Sequence, residues 1–177
     1  PYSYRSIFKW GDPHSFKHPN PKLYQELKTV FNLNDSYFVK KHNEGRNTVA
    51  YKKPVRLTKK QLQAIADIVG YENISTKEFD RLKFATGKTI EEAMKLRKGI
   101  VERVADCIVH PRSVDDVEKI IQYCNRYKIP VYVYGGGSSV NFGLRAAKGG
   151  VTLVLSTHMN NILQLNEKNQ TVTVQAG

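Results

Sequence analysis

With 177 residues, 40% of them hydrophobic, the chain is long enough for one ordinary domain, and no apolar stretch approaches the ~20 residues of a membrane span. Its net charge of +12 is uneven: residues 1–60 hold 13 Lys and Arg against 4 Asp and Glu, whereas residues 61–177 hold 15 against 12. Such a front suits anionic partners, but it carries no nucleic-acid motif and its aromatics are not regularly interleaved with the charges, so a solvated face, or one that pairs with an acidic part of a longer chain, is the preferred reading.

The first 60 residues are broken by Asp12-Pro13, His18-Pro19, Asn20-Pro21 and Lys53-Pro54, with one short helical pattern at Leu23, Leu27, Val30 and Phe31. An extended arm with one helix is expected. Thr58 then reads as an N-cap before Leu62, Ile65, Ile68 and Val69, with Gly70 as the stop. Ser75 with Glu78, and Thr89 with Glu92, have the S/T-x-x-E spacing of a capping box, so residues 58–99 are predicted to be helical, with breaks near Gly70, Gly87 and Gly99.

From Val104 the period changes. Ile108-Val109 is a short apolar run, and Ser113 with Asp116 opens a helix with Val114, Val117, Ile120, Ile121 and Cys124 as its apolar face. Val131 to Tyr134 is rich in β-formers and runs into Gly135, Gly136 and Gly137. Strand, helix, strand and glycine loop predict a parallel pair with a crossover helix. Val151 to Leu155, Ile162 to Leu165 and Thr171 to Gln175 add strands, the last two joined by a polar turn and so antiparallel. Cys107 and Cys124 fall where buried free thiols sit, which suits a reducing compartment. His14, His18, His42, His110 and His158 lack metal-ligand spacing, so no metal is expected. Of these, His158 falls where a cofactor edge could lie. Starting at Pro1 without methionine and stopping at Gly177 after a strand-like run, the sequence reads as a piece of a longer protein.

Three glycines after a strand leave successive backbone N–H groups unshielded by a Cβ, so the chain can close around an anion such as a diphosphate. Ser138 and Ser139 add hydroxyls, and Gly143 allows a further close approach. A tight turn between strands would recruit glycine too. The run has no G-x-G-x-x-G leading into a helix, and Gly87-Lys88-Thr89 lacks both the first glycine and the preceding strand of a phosphate-binding P-loop, so it reads as a helix break and cap.

The ordered runs Asp106 to Ser113, Ile129-Pro130-Val131, Gly135 to Val140, Leu153 to Met159 with Ile162-Leu163, and Thr171 to Gly177 resemble the vanillyl-alcohol-oxidase (PCMH) type of FAD-binding domain over about 75 residues. The resemblance implies an α+β fold: a basic arm and helical region over 1–100, then the incomplete first subdomain of the flavin fold over 101–177, with a parallel βαβ start and an antiparallel end. It implies that Val133, Tyr134, Gly135, Gly136, Gly137, Ser138, Ser139, Val140 and Gly143 hold the FAD pyrophosphate, and that Gly177 opens a second cofactor segment. Serines stand beside the glycines where some relatives attach the flavin through histidine, which implies non-covalent FAD.

Lys9-Trp10-Gly11, Asp80-Arg81, Leu96-Arg97, Gly99 and Glu102-Arg103 are similar to the alkyldihydroxyacetonephosphate synthase branch, although 81–89 lacks both histidines of that branch's R-A-H-G-H-C run. The implied activity is an FAD-linked oxidase or dehydrogenase of a hydroxy acid or alcohol, with the synthase, a transferase, as the alternative. A basic module for nucleic acid or another phosphopolymer is the remote alternative. The expected partners are a small-molecule substrate and the remainder of the chain, with room for a homo-oligomer and with no nucleic acid. The expected compartment is the cytoplasm, or the peroxisome for a eukaryotic synthase. Catalytic residues are expected beyond Gly177.

Overall fold

The computed structural model describes residues 2–9, 20–39 and 44–177. Trp10-Gly11, Asp12-Pro13, His14, His18-Pro19 and His42 lie outside them. In chain order the elements are α1 (Tyr4–Phe8), α2 (Pro21–Val30), α3 (Asp35–Val39), α4 (Lys59–Val69), β1 (Ile74–Ser75), α5 (Glu78–Lys83), α6 (Ile90–Arg97), β2 (Cys107–Val109), α7 (Val114–Arg126), β3 (Val131–Tyr134), β4 (Val151–Val154), β5 (Ile162–Asn166) and β6 (Thr171–Val174).

Side-chain caps set most helix starts. Thr58 and Gln61 cap α4 reciprocally, Thr89 and Glu92 do so at α6, and the Ser113 hydroxyl accepts from the Asp116 N–H at α7. The Ser75-Glu78 box does not form. Ser75 lies in β1, whose residues pair antiparallel with β2 (Ile74 with Val109, Ser75 with Ile108), and its hydroxyl donates to Asp80 Oδ2 at 2.6 Å. A long-range ladder therefore takes the residue that local spacing assigned to a cap, and α5 starts behind Lys77 without a side-chain cap and ends at Lys83, short of Gly87.

The main sheet has the order β1-β2-β4-β3. β2 and β3 are parallel and joined through α7, as the strand-helix-strand pattern implies, but they do not touch, because β4 is inserted between them and pairs in parallel with both. Burial explains the insertion: all four β4 residues are buried, whereas Val133 on β3 is 57% exposed, so β4 takes the centre and β3 the edge. β5 and β6 form a separate antiparallel hairpin.

One sheet face packs Cys107, Val109, Val151 and Leu153 against Ile65 and Val69 of α4 and Ile120 and Cys124 of α7. Each such fully buried aliphatic side chain contributes about 1.5–3 kcal/mol. The buried stripe of α7 is narrower than its pattern: Val117, Ile120 and Cys124 meet the core, while Val114 and Ile121 face solvent. Burial raises the Cys107 thiol to about 12 and the Cys124 thiol to about 11, and both are free. The other face packs Ile108, Val154, Tyr132 and Tyr134 against Phe84, Ala105 and Ala146. Tyr4 and Ile7 dock α1 on Leu82, Ala85, Leu96 and Val104, whereas α2 and α3 bury no residue. Among the described residues no helix is long and apolar enough to cross a membrane, and no group of His, Cys, Asp and Glu is placed to hold a metal ion.

Candidate functional site

The three parallel strands end on one side of the sheet, at Val109, Tyr134 and Val154. In open α/β sheets this carboxyl edge is where ligands gather, because loops leave the strands there with backbone groups unpaired. The glycine run follows directly from β3. Gly137 has φ +70°, a conformation suited to glycine, and a Cβ there would overlap the Tyr134 hydroxyl. Tyr134 is itself half-buried, edge-on to Phe84 with ring centroids 4.9 Å apart, and burial pushes its phenol up. The floor under the loop is therefore an aromatic pair.

Gly136 differs. Its φ lies outside the left-handed region, and no atom of the described residues lies within 4 Å of where its Cβ would be. Among the described residues, none accepts a hydrogen bond from the backbone N–H groups of Gly136, Gly137 or Ser138. The Ser139 hydroxyl donates to Asn141 Oδ1 at 2.9 Å, and the same oxygen accepts from the Gly143 N–H at 3.2 Å, which closes the turn. Ser139 also accepts through its carbonyl from the Lys88 N–H at 2.7 Å, and a Cβ at Gly87 would stand 2.5 Å from that carbonyl. Gly87-Lys88-Thr89 is thus a helix break and cap, as its spacing indicates, and it also clamps the glycine loop. Burial, with Lys83 nearby, holds the Lys88 amine below its ordinary value while its Nζ donates to the Ile7 carbonyl.

The end of the chain returns to the same edge. A Cβ at Gly135 would lie 3.1 Å from the Ala176 carbonyl, and the Gly177 N–H donates to the Met159 carbonyl at 2.8 Å. Tyr134, Gly135, Gly136, Gly137, Ser138, Ser139, Gly143 and Gly177 therefore converge at one edge. Val133 and Val140 point largely to solvent at its rim, 57% and 64% exposed.

Two pairs at this edge escape the sequence pattern: His110 Nδ1 with Thr157 Oγ1 at 2.7 Å, and His158 Nε2 with Asn73 Oδ1 at 2.8 Å. They tie the ends of β2 and β4 to each other and to the turn before β1. Position at a strand end is the signal that singled out His158, and it applies equally to His110. Burial lowers the His110 pKa, so its imidazole favours the neutral form.

Open N–H donors around an uncrowded glycine, at the carboxyl edge of parallel strands, fit a phosphate-bearing ligand. Residues 105–177 match the family model described as an FAD binding domain. The match takes in the glycine loop and all three parallel strands of the sheet. FAD is the cofactor of this chain. The chain is 27% identical over 68% of its length to glycolate oxidase subunit GlcD of Bacillus subtilis, 38% identical over 42% to a mitochondrial D-lactate dehydrogenase [cytochrome] of Arabidopsis thaliana, and 31% identical over 55% to the alkyldihydroxyacetonephosphate synthase of Caenorhabditis elegans. These stretches cover 24%, 13% and 17% of the respective relatives, so the chain spans a quarter or less of each. A solved alkyldihydroxyacetonephosphate synthase shares the fold over 71% of this chain and 24% of its own, with a TM-score of 0.64 at 20% identity.

Proposed function

We propose that residues 101–177 form the pyrophosphate-binding part of a non-covalent FAD site, set on a helical and basic region over 1–100, in a flavoprotein that oxidises a hydroxy acid. Gly136, Gly137 and Ser138 supply backbone N–H donors to the diphosphate, Gly135 and Gly177 allow the second cofactor segment to lie alongside, and Tyr134, Ser139, Val140, Val133 and Gly143 shape and rim the loop. The observation that carries this reading is Gly136, whose side-chain space is empty and whose φ is ordinary, so that the protein itself gives no reason for glycine there. Bound FAD would supply the redox chemistry, while this part of the chain binds and orients it. The carboxyl edge has serines, not a histidine, beside the glycines, which supports a dissociable cofactor.

Glycolate and D-lactate appear in the names of two relatives, which favours a small 2-hydroxy acid as substrate. The test is anaerobic titration of the full-length flavoprotein with glycolate and with D-lactate. Bleaching of the flavin band by either is the expected result, and an unchanged spectrum with both contradicts the oxidase reading. The second reading, an alkyldihydroxyacetonephosphate synthase, is favoured by 31% identity over 55% of the chain to the Caenorhabditis elegans enzyme. It predicts alkyl transfer without net bleaching. Substrate and the remaining polypeptide are the proposed partners, with no role for nucleic acid.

A further inference from the structure

The amino edge of the same sheet, opposite the glycine loop, holds a cavity of about 210 Å³ where Asp106 leads into β2. Its charged lining is Lys53, Arg56, Arg81 and Arg103, with Glu102 and Asp106. Both carboxylates are already engaged. Glu102 is paired with Lys95 at 2.8 Å, and the Asp106 oxygens accept from the Arg56 N–H at 3.0 Å and the Gly150 N–H at 2.7 Å. Among the described residues, none of the four cations has a carboxylate within ion-pair distance.

Arg81 is 3% exposed and donates to the carbonyls of Ala105, Lys53 and Pro54, which orients its guanidinium without neutralising it. A buried guanidinium with no carboxylate at ion-pair distance, in a cavity whose lining also carries three exposed cations, is an arrangement that an anion completes. Arginine forks match phosphate oxygens, and the cavity is large enough for one phosphate group together with bridging waters.

We propose that this cavity is a second anion site that takes a tetrahedral phosphate dianion, either free or as a small monoester. β2 has three residues, so at about 3.3 Å each the site stands roughly 10 Å from the carboxyl edge, far enough for both to be occupied at once. The site is made of side-chain cations, in contrast to the backbone donors of the glycine loop.

The test uses the full-length protein saturated with FAD, so that the glycine loop cannot answer for the cavity. Calorimetric titrations with inorganic phosphate and with methyl phosphate, at constant ionic strength set by chloride, are compared between the native protein and the double variant Arg56→Ser/Arg103→Ser. Both side chains are exposed, and the variant's fold is checked by its Tm without phosphate. The expected result is saturable binding that the variant weakens about tenfold or more, with FAD content unchanged. Tighter binding of the free ion or of the ester identifies which source the cavity takes. Absence of saturable binding, or equal affinity in the variant, overturns the proposal. So does a variant of lowered Tm in a protein that binds no phosphate, because the cavity is then filled by acidic side chains of the longer chain.

Discussion

The two edges of the parallel sheet use glycine for opposite reasons. At the amino edge Gly150 has φ +88°, and a Cβ there would run into the backbone carbonyl of Pro130, so the fold itself requires the residue. At the carboxyl edge Gly136 is crowded by none of the described residues and has no unusual φ. A glycine with a structural cause is explained by its neighbours in the chain. One without such a cause points to a neighbour the chain must acquire.

Breaking the amino edge should cost the most. Gly150→Ala meets both a left-handed backbone and a fixed carbonyl, and it should destabilise the protein by about 3 kcal/mol, read by denaturant unfolding. Arg81→Met keeps the volume but strands the carbonyls of Ala105, Lys53 and Pro54, for a loss of about 2 kcal/mol by the same measurement. Retention of full stability in either variant would remove the distinction between the edges. In the centre of the sheet Thr152 Oγ1 is buried without a partner among the described residues, and Thr152→Val should raise stability by up to about 1 kcal/mol.

The smallest effect belongs to His110 at the carboxyl edge. Its folded pKa is depressed by burial below the ordinary 6.5, so the folded state resists protonation more than the unfolded chain does. Its contribution is complete above pH 6.5 and is lost as pH falls through the lower, folded value. His110→Gln should flatten the acid side of a Tm-against-pH profile, and an unchanged profile would show that His110 is not the titrating group.

What was legible in the sequence was local. Thr58, Thr89 and Ser113 cap helices because their hydroxyls need only reach an N–H three residues on, and that spacing is written in the chain. The glycine loop was legible for the same reason, since β3, the glycines and Ser138-Ser139 are contiguous. What failed was long-range. Ser75 left its expected cap for a ladder with Ile108, and β4 entered between β2 and β3 from 17 residues beyond Tyr134. The cavity at the amino edge had no sequence signature, because the Arg81 side chain donates to the carbonyls of Lys53 and Ala105, each more than 20 residues away, and so gathers segments distant in the chain around it.

The central claim is that the open position at Gly136 is kept for the FAD pyrophosphate, and Gly136→Val in the full-length protein tests it most directly. Free space around residue 136 means that the FAD-free variant should unfold at the native Tm. The account predicts that the same variant loses FAD affinity by at least about tenfold, measured by flavin fluorescence on titration. A variant that folds as the native protein does and binds FAD with native affinity would contradict it.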